Sequence, residues 1–301
     1  MNSSLVSFLL LSVRKRGLAL LSMLVIAAAT PAVTPAATPA ADKADAVALV
    51  AVASNMQPAM QAIQAQFLRQ ADGAMHAKTA SAKLRIVYGA SGNFVSQVLQ
   101  GAPITLLLAA DEQSIQRLHA AGRAEDAGVI YASGRLALFV PQQSLALWQP
   151  AFQPDTAMLG LRQALQMQQI QRFAIANPEL APYGRAAREA LQSAGLWESL
   201  QARLVLGENI AQAAQFASGG STQGGILALS VVLTPAMQQR GRHVVLPASL
   251  HQPIHQRMAL MRGAGEPARA LYRYLQQPAA QAILLAHGYA VPAADAAKAT
   301  P

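Results

Sequence analysis

Hydrophobic positions along the chain switch repeatedly between strand and helix spacing. Val47–Ala53 (VALVAVA) is a continuous apolar run with β-branched residues, the pattern of a strand buried on both faces. Ser54 and Asn55 interrupt it, both preferred helix N-cap types, and Met60, Ile63 and Phe67 then recur at helical spacing. Lys83–Gly89 (KLRIVYG) predicts a second strand, Ala90–Asn93 a small polar turn, and Phe94, Val98 and Leu99 a helix. Pro103–Ala110 (PITLLLAA) predicts a third buried strand. Asp111 and Glu112 open the next helix, acids where the dipole favours them, and Ile115 and Leu118 carry it to Gly122. Three strand–turn–helix units in succession predict an α/β fold with a parallel, doubly wound sheet and right-handed crossovers.

The same order restarts after Ile130. Ile130–Val140 is a long strand-like run broken at Ser133-Gly134, Leu145–Pro154 is irregular, and Leu159–Met167 predicts a helix. Arg172–Ala176 predicts a strand, Asn177–Gly184 a loop with two prolines, and Arg185–Ala194 a helix. A short strand at Arg203–Leu206 leads through Glu208-Asn209 into a helix carried by Ile210, Ala213, Ala214 and Phe216. Gly224–Leu229 and His243–Leu246 predict two more strands. Gln256–Met261 reads as a strand returning to the first lobe, followed by helices at Pro267–Leu275 and Pro278–Ala286, each started by a proline. The expectation is therefore two lobes, each a mainly parallel sheet flanked by helices. Residues 47–130 plus 247–292 form the first and 131–246 the second, with hinge crossings near Ile130–Gly134 and Leu246–Gln256.

The flanks read differently. Arg14-Lys15-Arg16 precedes the apolar Gly17–Ala29, the pattern of a secretory signal, and that run falls short of the roughly 20 residues a membrane span needs. Thr30–Asp45 is a Pro/Ala/Thr tract with nothing to pack, and residues 293–301 repeat that composition. Residues 1–46 are thus expected to be signal peptide and disordered tract, cleaved after Ala29 or Ala40, and 293–301 a disordered tail. The mature protein is expected outside the cytoplasm.

Composition removes several classes of function. The chain has no cysteine, which excludes disulfides, thiolate catalysis, cysteine-ligated metal and a cysteine-linked lipid anchor. The net charge is +9, of which Arg14, Lys15 and Arg16 carry three, leaving +6 for the remainder. The basic residues are scattered singly and only 5% of residues are aromatic, so no surface for nucleic acid is built. Ser91 in Gly89-Ala90-Ser91-Gly92-Asn93 resembles a nucleophile elbow without its second glycine at the required spacing, which leaves a secreted serine hydrolase as a remote alternative. His251 and His255 are four apart, but Pro253 between them argues against a metal-binding helical face. Gly219–Gly225 is glycine-rich, lacks the P-loop lysine and precedes a strand.

What remains is a set of helix starts bearing hydroxyls, an amide and small residues: Ser54-Asn55, Ser91, Tyr183-Gly184 and Asn209-Ile210. No Lys or Arg lies inside these turns, Arg185 standing just past one. Taken singly, each reads as a helix cap. Converging between two lobes, they would form a neutral, donor-rich pocket suited to a fully deprotonated tetrahedral oxyanion. A partly protonated anion such as phosphate would bring an O–H with no acceptor, at a cost of about 1–3 kcal/mol.

Six segments in order carry a resemblance: VAVASNM at Val50–Met56, YGASGNF at Tyr88–Phe94, GAPITLLLAADE at Gly101–Glu112, ANPELAPYGRAAREAL at Ala176–Leu191, ENIAQA at Glu208–Ala213 and GGILALS at Gly224–Ser230. Over roughly Val47–Pro292 the chain resembles the periplasmic molybdate-binding proteins of ABC uptake systems, with the type II solute-binding fold. The resemblance implies a monomeric, non-enzymatic binding protein of the periplasm. It would take molybdate or tungstate as ligand and a membrane permease as partner, with no cofactor and no metal held by side-chain cation ligands. It implies hydroxyl and backbone donors from Ser54 and Ser91, Asn55 beside them, and backbone N–H groups from Tyr183 and Ile210. It departs from the family at Ala228, where some members carry a tyrosine that reaches the anion, and at Thr105, where many carry Asp. Asn55 would replace the tyrosine contact. Another oxyanion, sulfate above all, is the alternative ligand.

Overall fold

The computed structural model describes residues 47–71, 84–148 and 153–292. The expectations for 1–46 and 293–301 lie outside the described residues. Strand β1 (Ala48–Ala53) pairs in parallel with β2 (Leu84–Gly89) on one side and β3 (Ile104–Leu108) on the other. Strand β10 (Ile254–Leu260) then pairs antiparallel with β3 and with β4 (Val129–Gly134), giving the order β2-β1-β3-β10-β4. The second sheet has the order β7-β6-β8-β5-β9, from β5 (Leu136–Pro141), β6 (Phe173–Ala176), β7 (Leu204–Gly207), β8 (Gly225–Ala228) and β9 (Gly241–Val245). Here β6 runs parallel to β7 and β8, and β5 antiparallel to β8 and β9.

Each sheet therefore has four strands running one way and one opposed. The opposed strand is in each case the one that has just arrived from the other lobe: β5 from β4 through Arg135, and β10 from β9 through residues 246–253. This is the two-lobed α/β architecture expected, with mixed sheets. The run Ile130–Val140 predicted as one strand-like stretch is two strands in different sheets. Ala132, Ser133 and Gly134, expected in the second lobe, pair with β10 in the first, and Tyr131 lies in the same strand, β4.

Helices flank both sheets. In the first lobe these are α1 (Gln57–Ala71), α2 (Ser91–Leu99) and α3 (Glu112–Ala120). In the second they are α4 (Ala157–Gln166), α5 (Pro182–Ser193), α6 (Trp197–Gln201), α7 (Ile210–Ser218), α8 (Leu229–Val232) and α9 (Pro235–Arg240). Helices α10 (Glu266–Leu275) and α11 (Pro278–Ala286) return to the first lobe, where Leu271, Leu275 and Leu284 pack with Val50, Met60 and Ile63. Helix α5 takes in the last three residues of the predicted loop, because Pro182 needs no N–H partner at a first helical position and already has the right φ. No helix among the described residues is long and apolar enough to cross a membrane.

Candidate functional site

Four strands of the two sheets hand over to helices at one place. β1 ends at Ala53 in a 3-10 turn, Ser54–Met56, that feeds α1. β2 ends at Gly89, and Ala90 in extended conformation precedes Ser91, the first residue of α2. β6 leads through Asn177–Ala181 to Pro182 and Tyr183, and β7 through Glu208-Asn209 to Ile210. The turn after β6 is tied by Asn177, whose backbone oxygen accepts from Leu180 and Ala181 N–H at 3.1 and 2.9 Å and whose side chain accepts from Glu179 N–H at 3.0 Å. Between these starts lies a narrow cavity lined by Ser54, Asn55, Ser91, Tyr183 and Ile210 together with alanines, Gly89, Pro182 and Asn209. All five residues singled out from sequence line it, and all are between 1% and 5% exposed.

The donors left over at this cavity follow from how the caps are used. The first turn of a helix leaves its initial N–H groups without intrahelical acceptors. At α7 the Asn209 side chain accepts from Ala211 and Gln212 N–H at 3.0 and 3.1 Å, which satisfies those two and leaves the N–H of Ile210. At α5 Pro182 has no N–H, and Gly184 and Arg185 donate back to Ala181, which leaves that of Tyr183. Ser91 Oγ accepts from Ala110 N–H at 3.0 Å, so its own proton is available to donate. Among the described residues, no side chain of Lys, Arg, His, Asp or Glu lines the cavity. An anion placed there would meet amides and hydroxyls alone. The same composition gives Ser91 no general base among the lining residues.

Asn55 is used differently from the expectation. Both of its Nδ2 hydrogens are engaged, at 3.0 Å to Gln256 Oε1 and 2.8 Å to the Tyr289 hydroxyl. Its amide group ties the β1 turn to β10 and to the C-terminal segment, so its remaining donor at the cavity is its backbone N–H. The two departures from the family pattern are both away from the cavity. Ala228 is buried at the end of β8, paired with Leu136, and Thr105 Oγ1 donates to the Leu49 carbonyl at 3.0 Å.

The lobes touch around the cavity. Gly92 N–H donates across to the Leu180 carbonyl at 3.0 Å, Asn93 Nδ2 donates to Glu208 Oε1 at 2.6 Å, and Arg185 pairs with Asp111. Sequence reasoning missed Ala110, Gln256, Ser230 and Tyr289. The signal for Gln256 was present. Its strand alternates Ile254, Gln256, Met258, Leu260 toward the interior, and a glutamine in that register must have partners.

Two lobes linked by two crossings and closing on a small donor-lined cavity define a solute-binding protein of the two-lobed kind. The chain belongs to the bacterial extracellular solute-binding protein family, whose model matches residues 48–290. It is similar to the molybdate-binding protein ModA of Azotobacter vinelandii, 33% identical over 243 residues, which covers 80% of this chain and 88% of that one. It is also similar to ModA of Rhodobacter capsulatus, 31% identical over 257 residues, 82% of this chain and 96% of that one. Among solved structures, the periplasmic molybdate-binding protein of Azotobacter vinelandii superposes with a TM-score of 0.68 at 27% identity, over 82% of this chain and 100% of that chain.

Proposed function

We propose that this chain captures molybdate or tungstate in the periplasm, between its two lobes, and delivers the ion to an ABC permease with no chemistry performed on it. The observation that carries this reading is the convergence of helix starts from both lobes on one cavity with no charged side chain among the described residues of its wall. Helix N-termini and oriented amides offset the ligand's charge, and a wall whose described residues include no carboxylate or imidazole acceptor disfavours an anion that carries a proton. Capture is a hinge motion, because the anion reaches donors of both lobes only when they are together. The ModA relatives support molybdate over other tetrahedral oxyanions.

A melting experiment tests this directly. Molybdate or tungstate at about 100 times its Kd is expected to add about 2.7 kcal/mol of stability, roughly 5–10 °C in Tm. A large excess of sulfate should not displace molybdate in a competition titration. No shift with either metal oxyanion, or displacement by sulfate, would overturn the assignment.

The serine hydroxyls provide a second, smaller test. Ser54→Ala and Ser91→Ala should each weaken molybdate binding by about 1–2 kcal/mol, one charge-assisted bond. Ser91→Ala also strands the Ala110 N–H and should cost some stability without ligand, which calorimetry and a ligand-free melt separate.

A further inference from the structure

Behind the cavity wall lies a layer of buried polar side chains that the anion does not reach. Gln256 is its centre, fully buried and not among the residues lining the cavity. Its Oε1 accepts from Asn55 Nδ2 at 3.0 Å and from the Tyr131 hydroxyl at 2.9 Å, and its Nε2 donates to the Tyr183 hydroxyl at 3.0 Å. The second Asn55 amide hydrogen goes to the Tyr289 hydroxyl, which donates to Ser230 Oγ at 2.9 Å, and Ser230 donates to the Asn55 carbonyl at 3.0 Å. That loop returns to the residue it left. Burial pushes the Tyr131, Tyr183 and Tyr289 phenols above their usual range, so all three hydroxyls keep their protons at neutral pH.

These residues come from both lobes. Asn55, Tyr131, Gln256 and Tyr289 belong to the first, and Tyr183 and Ser230 to the second. Bonds from Gln256 to Tyr183, and from Ser230 to Asn55 and Tyr289, therefore cross between lobes. Tyr183 also spans the distance from site to hinge. Its backbone opens α5 at the cavity, whereas its hydroxyl lies against Gly134, where an added Cβ would stand 2.0 Å from the phenolic oxygen. Gly134 ends β4 one residue before the crossing into β5.

We infer that Gln256 is a positioning residue for anion capture. Fixed to the Asn55 amide within its own lobe and bonded to the Tyr183 hydroxyl across the cleft, it holds the helix starts of the two lobes at the spacing of the closed cleft, and the bond to Tyr183 exists only while the lobes are together. The inference rests on the anion-capture reading and adds to it. Part of the affinity is stored in a latch that never touches the ligand, and losing the latch favours the open state and shortens the life of the complex.

Tyr183→Phe keeps the ring and the backbone N–H and removes only the hydroxyl, and Gln256→Leu removes the amide. Gln97 on α2 and Gln215 on α7 are exposed, one on each lobe, and Gln97→Cys with Gln215→Cys gives a labelling pair in a chain with no other cysteine. Tyr183→Phe is expected to raise the molybdate dissociation rate and Kd about fivefold or more and to leave the association rate within about twofold. It should also shift the label distances in ligand-free protein to longer values. The Tyr183→Phe/Gln256→Leu double variant should be no weaker than Gln256→Leu alone, since Gln256→Leu already removes the bond to the Tyr183 hydroxyl that Tyr183→Phe removes. A lower melting temperature with an unchanged dissociation rate would assign the network to fold maintenance alone and overturn the inference. If Gln256→Leu does not fold, Tyr183→Phe decides. If the wild-type protein takes up no molybdate, the proposed function falls and the label distances decide, an identical distribution in Tyr183→Phe overturning the latch.

Discussion

Ile210→Pro is expected to remove at least about 2 kcal/mol of molybdate affinity, roughly thirtyfold, while leaving its helix in place. Ile210 is the first residue of α7, where proline suits the helix and its missing N–H removes no intrahelical bond. Asn209 before it is extended, as a residue preceding proline must be, and its side chain would go on capping Ala211 and Gln212. What disappears is the one amide of that turn left for an anion. The proline ring would also stand where the N–H was, leaving a ligand oxygen unpaired against carbon. Ile210→Val is the control, because it keeps the N–H and nearly all of the packing and should bind within about twofold of the wild type. Calorimetry with molybdate on both variants reads the difference. Equal loss in both would mean that the isoleucine side chain, rather than the backbone, matters.

That experiment isolates a feature of the whole site: its donors are backbone groups, and sequence constrains them only through their surroundings. The turns were legible because their caps have a chemical signature. Asn209 ahead of Ile210, Pro182 ahead of Tyr183 and the small polar residues after two apolar runs each mark a helix start, and four such starts at strand ends are what an open α/β sheet offers a ligand. The strands were legible too, since buried runs such as Val50–Ala53 and Leu106–Leu108 leave few alternatives.

Two things were less accessible. The short helices α6, α8 and α9 have too few residues to establish a period, so periodicity could not find them. The long-range network around Gln256 joins residues up to 234 positions apart, Asn55 with Tyr289, and no local pattern encodes such a pairing. For the same reason Asn55 read as a ligand contact. An asparagine at a helix start looks identical in sequence whether its amide faces a cavity or a buried tyrosine. The first crossing is hard to place from sequence because Gly134 ends one strand and Leu136 begins another with a single residue between them, and both halves are apolar.

Gly184→Ala should be the most damaging single methyl group in the site. A Cβ at Gly184 would stand 2.3 Å from the Ala176 carbonyl oxygen and 2.7 Å from the Asn177 carbonyl carbon, both backbone atoms at the end of β6. No rotamer change can relieve backbone against backbone, so the first turn of α5 must lift away from the sheet. Overpacking of this kind costs about 2–3 kcal/mol, roughly 5–10 °C in the ligand-free melting temperature. The displacement also falls on Tyr183, the next residue back, whose N–H belongs to the cavity and whose hydroxyl belongs to the hinge. Affinity for molybdate is therefore expected to fall about tenfold or more, beyond any loss of folded protein. The two effects come from one movement and should appear together. A variant that melts early but binds at wild-type affinity would show that α5 can lift without carrying its first turn off the anion, which the rigidity of a helix start packed on a strand does not allow.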